Sequence, residues 1–412
     1  MNNTSSRTSS KASISLAFSG MIFLGLAGGT NGVILPDLSA FYHVGDAIIG
    51  LLFLISSIGY CLSALCCGLL TERLGLRWLL GLGWGSIVVG MLGFVFHLPF
   101  ALLLVARLLM GLGFGLLDTG FNIFISTQPR SPILLNYLHA FWGTGALVGP
   151  LMATGMLALL WGWNSIYVVL LVLSLPLLPG IIKLMREPSP TQLEKIRETP
   201  AKGGALGTLL ALPIVWLLIA FLLLYVGVEQ SAGSWAYSFL LEDRAQGTVV
   251  AGWLVSGYWS GLTLGRFLIQ RQAERMGLSN SRLMFLCLSG LFVGLLIIWL
   301  IPIGAIAAFG FCFLGLSLAP IFPLSVAMVP RLVPTHLSAS AIGLLVSSSI
   351  IGLALFPWIA GILAQALGVW TLLPFLLALA VALLGFWVVL ARSLSISEDL
   401  VLQNRASDSS AR

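Results

Sequence analysis

Residues 186–204 read REPSPTQLEKIRETPAKGG, a polar stretch that carries charges of both signs together with proline and glycine. It interrupts a chain that is 58% hydrophobic and only 8% charged. So few polar side chains cannot cover a water-exposed surface, which excludes a soluble globular domain. Long hydrophobic segments lie on both sides of the stretch. It is therefore predicted to be a solvated linker between two halves of a membrane protein.

The hydrophobic segments predict an all-α membrane protein with twelve transmembrane helices. A bilayer core of roughly 30 Å needs about 20 apolar residues for each helical crossing. Such segments lie approximately at 15–36, 47–70, 78–96, 100–125, 135–160, 163–185, 206–227, 249–270, 283–301, 304–329, 339–366 and 370–391. The prediction is an N-terminal six-helix bundle at 1–185, a cytoplasmic linker at 186–204, and a C-terminal six-helix bundle with a cytoplasmic tail at 205–412.

The two halves also show a faint internal similarity. Gly59 and Tyr60 precede a glycine-rich exit from the second predicted span, and Gly257 and Tyr258 precede one from the eighth. Six spans on each side of a linker favour two related bundles, with the axis between them along the membrane normal.

The basic residues predict the orientation. Of 20 Lys and Arg residues, all but Arg107 and Arg244 fall on one side of the predicted membrane, which leaves 20 − 2 = 18. The count of 18 includes Arg266, because the whole stretch 266–282 is assigned to one basic loop. By the positive-inside rule both termini are cytoplasmic, and we expect an integral protein of the plasma (inner) membrane. The net charge of +6 reflects this topology and not a nucleic-acid-binding patch, because the charges are scattered.

The loop after the second span carries the first specific motif, GLLTERLGLR at residues 68–77. Gly68 allows close helix packing, Glu72 can pair with or cap a helix end, and Gly75 permits a tight turn. The motif resembles the loop signature of the major facilitator superfamily, which implies a gating role for it, including Arg73 and Arg77. An ordinary basic turn is the alternative.

The fourth span contains RLLMGLGFG at residues 107–115, which resembles the same superfamily's helix 4 motif. A charge at membrane depth normally faces the bundle interior or water. We expect Arg107 to have a structural or gating role, with substrate contact or snorkelling to the interface as alternatives.

Asp118 and Asn122 follow on the same span at positions i and i+4, and so share one helix face. Desolvation favours the neutral form of a carboxyl group in a hydrophobic span, so Asp118 is a candidate for binding and releasing a proton. Asn122 is a candidate substrate ligand. The alternatives are a packed Asp118 paired with a neighbour and an interhelical hydrogen bond from Asn122.

The fifth span places Asn136, His139 and Trp142 roughly on one face. Asn and His supply donors and acceptors, and Trp supplies a flat apolar surface. That combination suits a sugar, which has hydroxyls at its edge and C–H groups on its faces. A packed aromatic cluster with a satisfied histidine is the alternative.

The seventh span is interrupted by YVGVEQSAGSW at residues 225–235. Such an interruption is tolerated where the backbone lines a cavity, so we expect a broken helix there. Glu229 should lie near the external mouth, where it either contacts substrate or ends a solvated helix. Trp235 and, on the eighth span, Tyr258 are further candidate substrate contacts.

These stretches together resemble a narrower group, the fucose–proton symporter and the sodium-dependent glucose transporter-like proteins. LDTGFNIF at 117–124 is similar to the symporter's L-E-T-A-A-N-P-F, and NYLHAF at 136–141 to its N-L-A-Q-T-F. The resemblance implies that Asp118 is the proton-linked carboxylate and that Asn122, Asn136 and His139 contact the substrate.

Residues 31–36, NGVILP, depart from that pattern, because Gly32 stands where the symporter has a second carboxylate. Coupling through two carboxylates therefore cannot be transferred, although Asn31 remains a candidate substrate ligand. Three options remain for the coupling: Asp118 suffices, a cation is coordinated differently, or the protein is a uniporter. GALVGP at 145–150 partly resembles the antiporter motif of drug exporters, and we interpret it as a helix bend.

The sequence thus predicts a monomeric secondary transporter for a monosaccharide or similar small polyol, working by alternating access. Proton symport is the expected coupling, with sodium as the alternative ion, and no cofactor or metal is expected. Proton-driven efflux of drugs or metabolites is the second hypothesis, and a non-transporting membrane sensor is the third. The sequence carries no phosphate loop, nucleophile triad or metal-binding cluster, so we do not expect an enzyme.

Overall fold

The computed structural model describes residues 3–126, 128, 131–186, 205–301, 304–334 and 337–410, and within them all regular structure is helical. The N-terminal half contains α1 (Asn3–Tyr42), α2 (Asp46–Leu74), α3 (Leu76–Val95), α4 (Phe100–Ser126), α5 (Ser131–Ala158), α6 (Trp163–Ser174) and α7 (Leu177–Arg186). The C-terminal half contains α8 (Ala205–Leu210), α9 (Pro213–Glu242), α10 (Thr248–Arg275), α11 (Asn280–Leu300), α12 (Gly304–Leu318), α13 (Ile321–Leu332), α14 (Ser338–Leu367), a 3₁₀ turn (Val369–Thr371) and α15 (Leu372–Ser410).

Eleven helical segments within these ranges are long and apolar enough to cross a membrane. Two of them join a pair of helices across a short break: Trp163–Lys183 spans α6 and α7, and Phe309–Leu332 spans α12 and α13. The remaining crossing is α10, whose 28 residues extend about 42 Å at 1.5 Å each. It is more polar than the rest and packs between α5 and α12. The predicted all-α membrane fold is confirmed.

Glycine contacts bring helices close together in both halves. In the N-terminal half, a Cβ added at Gly149 would lie 2.5 Å from the Leu26 carbonyl oxygen, so α5 and α1 touch backbone to backbone. In the C-terminal half, Gly261 of α10 and Gly315 of α12 pack against each other's helix in the same manner. Small residues that allow such approach are typical of membrane helix pairs. Gly149 therefore supports packing against α1.

The two halves are held together on the side remote from the chain termini. There α1 meets α9, since a Cβ added at Gly32 would lie 2.6 Å from the Ser234 carbonyl oxygen. The Ala47 N–H at the start of α2 also donates to Gln365 Oε1 near the end of α14, at 2.9 Å. On the side of the termini, α4 and α13 make no comparable contact among the described residues. Among the described residues, these contacts join the two halves on the side remote from the termini.

The seventh crossing differs from its prediction. Instead of a span at 206–227 followed by an interruption, α9 runs unbroken over Pro213–Glu242. Its glycines serve close packing, because Gly227 lies against the Phe356 ring and Gly233 against the Trp259 ring. The predicted broken helix is wrong, and Glu229 lies near the middle of the crossing and not at its mouth.

Candidate functional site

A cavity of about 150 Å³ lies between the two halves, and both contribute to its wall. The N-terminal half supplies residues of α1, α2, α4 and α5, and the C-terminal half supplies residues of α9, α10 and α14. Its polar side chains are Asn31, Ser56, Ser57, Tyr60, Arg107, Gln230 and Ser234. The predicted candidates Asn31 and Trp142 are thus brought to one site.

Two tryptophans of the cavity wall contact each other. Trp142 of α5 and Trp259 of α10 have ring centroids 5.7 Å apart and meet edge to face at 77°. Because they belong to different halves, a flat molecule with apolar faces can pack against both bundles at once. A change in the relative position of the bundles would alter that contact.

Two buried donors in the cavity wall lack a partner. The Ser57 hydroxyl and the Trp259 indole N–H make no hydrogen bond, although these residues are only 1% and 4% exposed. A buried polar group left unpaired costs about 1–3 kcal/mol. Hydroxyl and carboxylate oxygens are suitable acceptors for both donors. The sequence did not indicate Ser57, because a serine in an apolar helix carries no distinctive pattern.

Asp118 is half-buried on α4 and is bound by neutral donors. The Tyr60 hydroxyl of α2 donates to Oδ2, and the Asn122 side-chain amide donates to Oδ1 at 3.0 Å. Within the described ranges no Lys, Arg or His nitrogen lies within 4 Å of the carboxylate. Tyr60 also borders the cavity, so one side chain connects Asp118 to the ligand space. The Gly-Tyr repeat was the signal that could have identified Tyr60.

Glu229 occupies a contrasting environment in the C-terminal half. It is buried on α9 and accepts a hydrogen bond from the Tyr225 hydroxyl. Arg266 Nη2 of α10 forms an ion pair with its Oε2 at 3.4 Å. The Tyr258 hydroxyl donates to the Glu229 main-chain carbonyl at 2.8 Å. Placing Arg266 in a basic loop was wrong, because α10 continues to Arg275 and keeps Arg266 inside the bundle.

The remaining aromatic and histidine candidates lie outside the cavity wall. His139 is exposed on α5, and the charges of both Asp118 and Arg266 act on it. Trp235 is buried within the C-terminal half, where its indole N–H donates to the Pro357 carbonyl at 2.8 Å. His139 therefore lies between the two charged sites, and Trp235 ties α9 to α14.

The loop motif forms the turn between α2 and α3. Gly75 has φ of 81°, which disfavours other residues, and its N–H donates to the Thr71 carbonyl at 3.0 Å. Arg73 is exposed and Arg77 is half-buried. Gly68, Glu72 and Asn136 fall within helices, but their surroundings lie outside the described part of the structure.

Arg107 is buried on α4 with 4% of its surface exposed. Its Nε donates to the Leu52 carbonyl of α2 at 3.3 Å, and the residue forms part of the cavity wall. It therefore faces the inside of the protein and does not snorkel to the membrane interface. Because Arg107 is buried in the cavity wall, its position is compatible with both predicted roles, gating and substrate contact.

Eleven apolar helices of the described ranges, together with α10, surround this cavity, an arrangement typical of membrane transporters. The family model of the Major Facilitator Superfamily matches residues 17–250 and 231–405. The chain therefore belongs to this superfamily. It is a secondary transporter and not an enzyme.

Similar proteins include transporters named for sugars. Bypass of stop codon protein 6 of Saccharomyces cerevisiae is 25% identical to this chain over 383 residues. The match covers 84% of this chain and 76% of that protein. It is 24% identical over 265 residues to the glucose/mannose transporter GlcP of Bacillus subtilis, covering 63% of this chain and 65% of that protein. The crystal structure of a D-xylose-proton symporter superposes with a TM-score of 0.74 at 13% identity, over 91% of this chain and 97% of that one. Because the identity to the symporter is only 13%, that similarity shows a shared fold alone.

Proposed function

We propose that this transporter moves a monosaccharide or similar small polyol together with a proton, through alternating access of the central cavity. The observation that carries the proposal is the position of Tyr60, which binds the Asp118 carboxylate and also borders the cavity. Such a link allows the proton on Asp118 and the substrate in the cavity to influence each other.

The size and chemistry of the cavity support a sugar-like substrate. A volume of about 150 Å³ limits the ligand to a small molecule. Trp142 and Trp259 supply apolar faces, while Asn31 and Ser57 supply hydrogen-bonding groups at the rim. The glucose/mannose transporter among the relatives has a substrate of this class by its name.

The coupling step follows from the hydroxyl of Tyr60. When Asp118 is ionised it can only accept, so the Tyr60 hydroxyl must donate to it. When Asp118 is protonated it can donate instead, which frees the Tyr60 proton to turn toward a substrate oxygen. Protonation thereby changes the hydrogen bonds offered to the substrate, and the two ligands favour the same state of the protein.

The orientation is part of the proposal. We assign residues 1–185 and 205–412 to the two moving bundles and residues 186–204 to a cytosolic linker, with both termini cytoplasmic in the plasma membrane. With Arg266 removed from the count, 18 − 1 = 17 basic residues on that side support this orientation. The bundles touch on the opposite side, so the described conformation is the one in which α1 and α9 close the external entrance.

Uptake into proteoliposomes tests the proposal. Purified protein is assayed over a panel of monosaccharides with an imposed proton gradient, an imposed sodium gradient, or none. We expect sugar accumulation only with the proton gradient, together with alkalinisation of the external buffer. Drug-driven proton counterflow without sugar uptake would favour the efflux alternative, and binding without flux would favour a sensor.

A further inference from the structure

Arg107 gives the cavity an unbalanced charge. It is the one charged residue in the described wall of the cavity, and no carboxylate belongs to that wall. Its guanidinium is buried at the ligand space, and its Nε is engaged by the Leu52 carbonyl, which is neutral. The cavity therefore carries a net positive charge at membrane depth.

No described carboxylate forms an ion pair with Arg107. Asp118 lies 118 − 107 = 11 residues further along the same helix, which is about 16 Å at 1.5 Å per residue. Glu229 already has a cationic partner in Arg266. Among the described residues the ion pairs are Arg244–Asp243 and Arg266–Glu229, so none includes Arg107. A buried cation without a counter-charge is unfavourable, and a negatively charged ligand would remove that cost.

The unpaired donors of the cavity wall favour the same ligand chemistry. The Ser57 hydroxyl and the Trp259 N–H lack acceptors, whereas the Gln230 amide, which also borders the space, donates to Glu229 Oε1 at 3.2 Å. Donors and one fixed cation, without an opposing carboxylate, form a surface that binds oxygen-rich anions. The planar guanidinium matches the planar carboxylate group in geometry as well as charge.

We propose that the preferred substrate is a sugar acid, a monosaccharide bearing one carboxylate, with that carboxylate on Arg107 and the sugar ring beside Trp142 and Trp259. This rests on the proposed function, which it narrows to an anionic class. One consequence concerns charge movement. A singly charged sugar acid carried with one proton transfers no net charge, whereas a neutral sugar carried with one proton transfers one positive charge.

Matched sugar pairs test the assignment in proteoliposomes. Glucuronate is compared with glucose, and galacturonate with galactose, for binding and for uptake with and without an imposed membrane potential. We expect at least a tenfold preference for the acids, and acid uptake that does not respond to the potential. Arg107→Gln should weaken binding of the acids roughly 10- to 100-fold, a clearly larger factor than its effect on binding of the neutral sugars.

Two further variants keep the test informative. Arg107→Lys retains the charge without the planar fork and should lose less than Arg107→Gln, so it serves if the glutamine variant does not fold. Arg244→Gln removes an arginine that lies outside the cavity and binds the main chain of residues 298 and 299. It should leave the ratio of acid to neutral binding unchanged.

The outcomes separate this inference from the proposed function. Uptake of neutral sugars with no preference for their acids overturns the assignment of Arg107 and leaves the proposed function in place. Failure to transport either class overturns both. If Arg107→Gln weakens binding of the acid and of the neutral sugar equally, Arg107 has a purely structural role. Competition by chloride as strong as that by glucuronate would assign the site to an inorganic anion instead.

Discussion

The two bundles each hold a carboxylate that accepts a hydrogen bond from a tyrosine, but only one of them has a cationic partner. In the N-terminal bundle Asp118 is bound by Tyr60 and Asn122, both neutral. In the C-terminal bundle Glu229 is bound by Tyr225 and also by Arg266. The two carboxylates, on α4 and α9, therefore differ in the charge of the groups that bind them.

Asp118 and Glu229 differ in the charge of the groups that surround them once they are protonated. Protonating Asp118 leaves neutral hydrogen-bonding groups around it. Protonating Glu229 leaves Arg266 without its counter-charge, and breaking a buried pair typically costs about 3–5 kcal/mol. Arg266 is 24% exposed at its side chain and Glu229 7%, so solvent reduces that cost. We assign proton exchange to Asp118 and a structural role to the Glu229–Arg266 pair.

The largest effect is expected for Asp118→Asn. The amide resembles the neutral acid, so the variant should fold and exchange substrate across the membrane while losing accumulation driven by the proton gradient. One-to-one coupling permits about tenfold accumulation for each unit of pH difference, because a tenfold ratio equals 1.4 kcal/mol. We expect this ratio to fall to one. Counterflow and driven uptake in the same proteoliposomes measure the two activities separately.

Arg266→Gln should give the next largest effect, on stability. It leaves the Glu229 carboxylate buried without a cation, and we expect a loss of about 1–3 kcal/mol, less than for a fully buried pair. Thermal unfolding in detergent measures the change. The double variant Arg266→Gln, Glu229→Gln should recover much of the lost stability, since no charge remains. Lack of any recovery would mean that Arg266 acts through contacts other than Glu229.

Trp142→Ala should weaken substrate binding by about 1–3 kcal/mol through loss of apolar contact in the cavity. Trp142→Phe should restore much of the affinity, because it keeps an aromatic face. Titration calorimetry or tryptophan fluorescence measures both variants. Matching losses of folded protein in the two variants would make Trp142 a core residue and not a substrate contact.

The smallest effect on substrate affinity is expected for Tyr60→Phe, and it sharpens the comparison between bundles. Loss of one hydrogen bond should cost about 1 kcal/mol, or roughly fivefold, in binding, while loss of the hydroxyl should remove most of the coupling between proton and substrate. Tyr225→Phe, the matched change beside Glu229, should affect stability but leave the pH dependence of uptake unchanged. Equal shifts of the pH profile in both variants would contradict the division of roles.

The membrane fold was predictable from the sequence because hydropathy and the side preference of basic residues are properties of short segments. The same reasoning misplaced Arg266, since it was counted with the basic loop although the predicted eighth span, 249–270, contains it. In the structure Arg266 lies within α10 because Glu229, 37 residues earlier, balances its charge. A charge buried by a distant partner leaves no signal in its own segment.

The site was predicted only in part for a related reason. Asp118 and Asn122 share a helix, and their contact follows from helical spacing. The contact between Tyr60 and Asp118 joins residues 58 positions apart on different helices, and no spacing rule indicates it. The unpaired state of Ser57 likewise depends on which helices surround it. Tyr60 and Ser57 belong to the site because of how the helices pack, and their residue types alone do not identify them.

Proton movement during substrate binding tests the central claim most directly. Substrate is added to proteoliposomes in weakly buffered medium, and the pH change is recorded for wild type, Asp118→Asn and Glu229→Gln. We predict uptake of about one proton per substrate in wild type and in Glu229→Gln, and none in Asp118→Asn. Undiminished proton uptake by Asp118→Asn, or its loss in folded Glu229→Gln alone, would place the coupling carboxylate in the C-terminal bundle and contradict this account.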